Sequence, residues 1–314
     1  MIPMPFLAIV SVNYLWYHLL ISTIEEVINM THYYYCSLNT FINIIKNKQL
    51  FLSDPLKMND YMEAEWGLNQ LLSSPHYQQM MDRAQLDFSK EEIKNAFSAL
   101  KKNDSKTYIC CFSGDGDLLS QWRAYGDDGH GLSIGFDLSK MIGEYYNIFP
   151  YDIKYLHNPD EIAADADSAY SFEFLADTVP TSFDGFGITK REDKLTYFVR
   201  ELFSLLLKYK NPAFCEEKET RIVYDAGPKF EDIVQKNNAW QTKMISFNPP
   251  CDFRTSGNSK IVKYYKLDFK PDCVTDIFIG PLSELSEYDV KELLTHYWDD
   301  AIDVHIHQSA ASYR

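Results

Sequence analysis

Apolar residues recur at helical spacing in some stretches of the chain and gather into short unbroken runs in others, and this contrast divides it into elements. Residues 33–36 form a compact aromatic run that predicts a strand. Ser37 or Asn39 then caps a helix whose apolar positions are Phe41, Ile44 and Ile45. Residues 50–53 predict a second strand, which runs into the turn signal Asp54-Pro55. Ser89 and Glu92 form a capping box ahead of Ile93, Phe97 and Leu100, an amphipathic helix. Residues 108–112 and 132–136 predict buried strands on either side of a segment rich in Gly and Asp. Residues 195–209 are apolar nearly all round, which predicts a buried helix. Further strands are predicted at 221–224, 244–247, 261–269, 274–279 and 304–308, and Ser286 and Asp289 cap a helix reaching Trp298.

Helices therefore lie mainly in the N-terminal half and strands in the second. No repeat or Pro/Gly/Ser linker separates the halves, so residues 31–314 are expected to form one α+β domain. Residues 1–30 are set apart as an apolar extension. Up to Ile21 they carry no Lys or Arg, and Asn13 and His18 interrupt the apolar run. A signal peptide needs a positive start and a small-residue cleavage site, and a membrane anchor over 1–22 needs basic flanks. The expected start of the native chain is Met30. Residues 157–189 hold seven acidic residues and no Lys or Arg, which reads as a solvated insertion or an active-site lid.

Composition narrows the partners. Hydrophobic residues make up 46% of the chain and charged residues 24%, ordinary for a globular core, while aromatics reach 15% and favour β-structure and aromatic-walled pockets. The formal charge of −15 repels phosphate backbones, so no broad nucleic-acid-binding face is expected. Six cysteines without a C-x-x-C pair suggest reduced, mostly buried thiols in a cytoplasmic protein.

Several patterns are set aside on physical grounds. Gly131-Leu-Ser133-Ile-Gly135 has the spacing of a nucleophile elbow, but its serine lies inside a strand-like run with no helix opening behind it. His305 and His307 share a strand face, yet no third metal ligand is indicated, and no metal is predicted. Three segments carry more. Residues 32–37 alternate side chains across an early strand that includes Tyr34. Asn59, Asp60 and Glu63 follow a strand and turn, where they form a binding loop or simply cap a helix. Glu216, Glu217 and Glu219 crowd ahead of Arg221, and Glu219 and Arg221, two apart at a strand start, share a face. Between them lie Ser113, Trp122, Arg123, Tyr125 and several glycines. Trp122 and Tyr125 offer flat surfaces for a ring and Arg123 a phosphate clamp, although a glycine-rich turn packed under aromatics has the same look.

Taken in order, these segments resemble a bacterial family catalogued as domain-of-unknown-function family 2971. The resemblance runs from Tyr33 through Asn59-Asp60, Ser113, Trp122, Tyr125 and Gly131–Asp137 to Glu217-Lys-Glu219-x-Arg221 and the segment 277–281. That family is in turn similar to the ADP-ribosyltransferase fold. The similarity implies a split β-sandwich that grips NAD, with Tyr34 at the first motif position, Ser113 or Tyr125 at the middle and Glu219 at the last. Tyr34 stands where that pattern usually has His or Arg. NAD would be the substrate, Arg123 or Arg221 would offset its pyrophosphate, and Trp122, Tyr125, Asn59, Asp60 and Glu63 would belong to its binding surface.

The leading expectation is NAD-dependent ADP-ribosyl transfer or NAD glycohydrolysis, in a toxin or antiphage effector, with the acceptor left open. Two others stand beside it: a catalytically inactive ligand-binding or sensor module of the same fold, and a nucleoside or sugar glycosidase that pairs Glu63 with Glu219.

Overall fold

A computed structural model describes residues 30–58, 60–102, 106–142, 147–159, 161, 187–226, 248–256, 260–298 and 303–313. The aromatic run becomes β1 (Thr31–Cys36), and Ser37 ends it by capping α1 (Leu38–Asn47), its hydroxyl accepting from the Thr40 amide. Lys48 closes that helix in the left-handed region and turns the chain into β2 (Gln49–Ser53). A first excursion holds α2 (Asp60–Ser73), α3 (His76–Arg83) and α4 (Lys90–Ala99). The chain then returns as β3 (Thr107–Ser113), α5 (Leu119–Ala124), β4 (Leu132–Asp137), α6 (Leu138–Ile142) and β5 (Ile148–Asp152). A second excursion carries β6 (Lys154–Tyr155), α7 (Arg191–Leu206) and β7 (Tyr209–Lys210). The last stretch supplies β8 (Glu219–Asp225), β9 (Cys251–Ser256), β10 (Lys260–Asp268), β11 (Val274–Ile279), α8 (Glu287–Tyr297) and β12 (His305–Gln308).

Two units result. The excursions, 54–107 and 153–214, make a helical unit, and the remaining described residues make a sheet unit. The sheet is open and mostly antiparallel, in the order β12-β11-β4-β1-β3-β2-β10-β9, with β8 on β3 and β5 on β8; β11 and β12 run parallel within it. β3 bonds three strands, β1, β2 and β8. A strand has two edges, so one edge of β3 is divided between two partners and the sheet forks there. One face of the sheet is apolar: Cys36, Leu50, Leu52, Tyr108, Cys110, Phe112, Ile134, Ile222 and Tyr224 pack into a core with Phe41, Ile44 and Ile45 of α1 and Val290 of α8.

The predicted elements at 33–36, 50–53, 108–112, 132–136 and 274–279 all appear as strands, and both capping boxes form. The buried helix expected over 195–209 starts four residues earlier, where Glu192 and Asp193 favour a helix N-terminus, and ends at Leu206; Tyr209 belongs to β7 instead. The strand expected at 221–224 begins at Glu219. The expected strand at 244–247, nearly all of the acidic segment 157–189 and the apolar extension before Met30 lie outside the described residues. No described helix is long and apolar enough to cross a membrane.

Within the helical unit, Glu92 closes the cap of α4 on Ser89 and also pairs with Arg191 at the start of α7, Nη1 to Oε1 2.5 Å. Hydrogen bonds from Arg191 first, then from the Ser89 amide and hydroxyl, pull the Glu92 carboxyl down to about 2. A folded value below the unfolded value of about 4.3 stabilises the unit above that pH, and the contribution is lost as pH falls through about 2. Wild type and Glu92→Gln are therefore expected to differ in melting temperature near neutral pH and to converge on acidification. A constant difference down to low pH would show that the carboxylate is not the cause.

Candidate functional site

Side chains alternate across a strand, so each strand sends every second residue to the face opposite the core. Core packing fixes the phase. Tyr34 and Cys36 lie on the apolar face of β1, Cys110 and Phe112 on that of β3, and Ile222 and Tyr224 on that of β8. The opposite face carries Tyr33 and Tyr35, Cys111 and Ser113, and Glu219 and Arg221. Printed across the sheet by its register is one row: His305 pairs with Asp276, Asp276 with Gly135, Gly135 with Tyr33, and Tyr33 with Ser113. Neighbours in such a row stand roughly 4.8 Å apart.

The entry to β8 is pinned to the end of β3. The Ser113 hydroxyl donates to the Glu217 carbonyl at 2.9 Å, and the Gly114 amide donates to the Lys218 carbonyl at 2.9 Å. Lys218 takes a left-handed φ of 44°, and a Cβ on Gly114 would stand 3.0 Å from the Lys218 Cβ, so the approach needs glycine there. Ser113 also accepts from the Asp115 amide at 3.2 Å. Its hydroxyl is thus committed to backbone partners on both sides, which makes it a positioning group.

Two residues later the strand opens with Glu219. Its Oε1 accepts from the Arg221 Nε at 2.5 Å and its Oε2 from Nη2 at 3.1 Å, a two-pronged pair between residues 6% and 1% exposed. Burial on this scale removes most hydration from both charges, so each depends on the other. Glu216, by contrast, is exposed, and Glu217 half-buried.

The row extends beyond Tyr33. Burial, then the nearby carboxylates of Asp276 and Asp115, raise the Tyr33 hydroxyl pKa. Its ring meets Phe278 edge-on with centroids 5.8 Å apart, and Phe278 stacks on His307 at 4.6 Å. His307 Nε2 stands 3.1 Å from Asp276 Oδ1. Tyr35 is tied down: its hydroxyl donates to the Asp115 carbonyl and accepts from the Leu118 amide, both at 2.8 Å.

The other predicted site residues fall in different places. Tyr34 packs edge-on against Phe112 at 5.9 Å on the core face, so sheet alternation separates its ring from Ser113 and Glu219. Trp122 is fully buried, meets Tyr35 at 4.8 Å and donates Nε1 to Asp117 at 2.7 Å; its ring packs the core and is closed to a ligand. Tyr125 is 54% exposed. Arg123 is exposed and lies over the Tyr313 ring at 5.3 Å. The glycines nearby serve close packing: Gly126 lies under the Trp122 ring and Gly131 against the Cys36 carbonyl. Asn59 and the Asp60 side chain lie outside the described residues. Glu63 belongs to the helical unit, where it meets the buried Lys210 ammonium at 3.1 Å. Ser133 is buried inside β4; contrary to the expectation a short helix, α6, does open behind that strand at Leu138, but Ser133 lies in mid-strand and not on the turn that leads into it. All six cysteines are free; Cys36, Cys110 and Cys273 are buried, while Cys215 and Cys251 are exposed.

Sequence reasoning missed Tyr33 and Arg254. Three consecutive tyrosines carry no phase, so nothing in β1 says which of them faces the site. Arg254 lies in β9 (Cys251–Ser256), a strand without a motif, where its Nη2 donates to Ser53 Oγ at 3.1 Å.

Residues 121–222 match the model of a family described as protein of unknown function (DUF2971). The match takes in Trp122, the glycine segment, Glu219 and Arg221, and it stops short of Tyr34 and Ser113, where the resemblance read from the sequence was longer. No curated protein and no solved structure matches the chain.

Proposed function

We propose that the sheet unit is an NAD-cleaving site of the ADP-ribosyltransferase kind, with Glu219 as its reacting carboxylate and an effector role, toxin or antiphage, as its setting. The observation that supports this most is that the adjacent strands β1, β3 and β8 turn Tyr33, Ser113 and Glu219 to one face. In this reading Tyr33 takes the first-strand position in place of Tyr34. Cleavage breaks the bond between nicotinamide and ribose; the electron pair leaves with the ring, which becomes neutral, and the ribose gains oxocarbenium character. Glu219 accepts a hydrogen bond from a ribose hydroxyl and stabilises that positive charge, while Arg221 fixes its rotamer. Water or another nucleophile then bonds to the ribose carbon and releases its proton. Tyr125, exposed, is the ring assigned to stack on the cationic nicotinamide.

A second reading has its own support. Arg221 occupies both carboxylate oxygens of Glu219, which suits a module that binds a ligand without cleaving it. The glycosidase reading is weaker, because Lys210 already holds Glu63. Incubating the full chain with NAD and separating products by chromatography distinguishes them. Cleavage predicts free nicotinamide with ADP-ribose or a labelled acceptor. NAD binding by calorimetry without nicotinamide gives the module; release from nucleosides alone gives the glycosidase.

A further inference from the structure

In a protein of net charge −15, a partly buried arginine is normally met by a carboxylate. Arg221 has Glu219. Arg254 differs. Its Nη2 donates to the Ser53 hydroxyl at 3.1 Å, and its Nε–H, shut off from solvent, finds no acceptor among the described residues. The nearest acidic residue on its strand face, Asp252, is taken by Lys266 at 3.1 Å and by the Tyr264 hydroxyl at 3.2 Å. β10 pairs Tyr264 with Ser53 and continues past the end of β2 to Lys260, and Arg254 pairs with Val262 on that overhang. Its positive charge reaches the Tyr34 hydroxyl of β1, the Cys110 thiol of β3 and the Tyr264 hydroxyl of β10, where it works against the rise that burial imposes. The guanidinium thus keeps a buried donor whose unmet hydrogen bond is a cost that an arriving acceptor relieves.

We propose that Arg254 and Ser53 form a subsite for an oxyanion, the phosphoryl or carboxylate group of a ligand. A guanidinium offers five N–H donors in a planar fork that matches such a group, and Ser53 Oγ can donate its own proton while accepting from Nη2. The overall negative charge repels free anions, so retention rests on these directed bonds. The subsite stands independently of NAD cleavage.

Binding of inorganic pyrophosphate and of citrate to the full chain, followed by calorimetry, tests it, and the tighter of the two assigns the phosphoryl or carboxylate class. Arg254→Gln is expected to weaken the bound anion about ten- to a hundredfold. Arg254→Lys, which keeps the charge without the fork, is expected to fall between. Ser53→Ala provides a second variant should Arg254→Gln fold poorly by circular dichroism, and the exposed Lys140→Gln a surface control. The proposal is overturned if wild type binds neither anion at millimolar concentration, or if Arg254→Gln and Ser53→Ala bind as wild type does. Either result leaves the nicotinamide assay, which reads Glu219, unaffected.

Discussion

Gly131→Ala is expected to destabilise the sheet unit by about 3 kcal/mol or more. The added Cβ would stand 2.1 Å from the Cys36 carbonyl oxygen and 2.9 Å from that of Gly126. Both obstacles are backbone, so no side-chain rotation relieves them. The Gly131 amide donates to Gly126 at 2.9 Å and its carbonyl accepts from Gly280 at 3.0 Å, which holds the residue from both sides. Because Cys36 is the register partner of Leu132, relief requires β1 and β4 to part at that end of their ladder, which also carries the Tyr33–Gly135 pair of the site row. Urea unfolding reads the effect as a lowered midpoint. A variant within about 0.5 kcal/mol of wild type would mean that these strands are not packed as described.

The second large effect concerns the Glu219–Arg221 pair. Glu219→Ala takes the carboxylate from a guanidinium that is 1% exposed, and breaking one side of a buried pair costs about 3–5 kcal/mol. Glu219→Gln keeps an acceptor oxygen for Arg221 and is expected to lose less. Replacing both residues, as Glu219→Leu with Arg221→Met, removes the desolvation cost along with the attraction and is expected to restore much of the loss. A double-mutant cycle in urea measures the coupling. If Glu219→Ala and the double variant are equally stable, the two residues are not a coupled pair.

Local signals in the sequence carried far. Ser37, Ser89–Glu92 and Ser286–Asp289 announce helix starts because capping is decided within four residues. Glu219 and Arg221 could be placed on one face because strand alternation is equally local. Long-range pairing was not legible. The fork at β3 depends on which strands meet its edges, and no residue of β3 encodes that. The face of each first-strand tyrosine was not legible for a related reason: Tyr33, Tyr34 and Tyr35 are identical, and only the core on one face separates them. Trp122 was read as a ligand platform because a buried ring and an exposed one look alike in sequence, whereas its Nε1 bond to Asp117 decides between them. Arg254 gained meaning only in space, where its Nε–H finds no acceptor among the described residues.

The most direct test of the account is nicotinamide release from NAD by wild type and by Glu219→Gln, each checked for native circular dichroism and melting temperature. The wild-type chain is expected to release nicotinamide, and the folded Gln variant to lose about a hundredfold or more of that rate, the scale on which removing one charge-stabilising group acts. Release by a folded Glu219→Gln variant at the wild-type rate would contradict it.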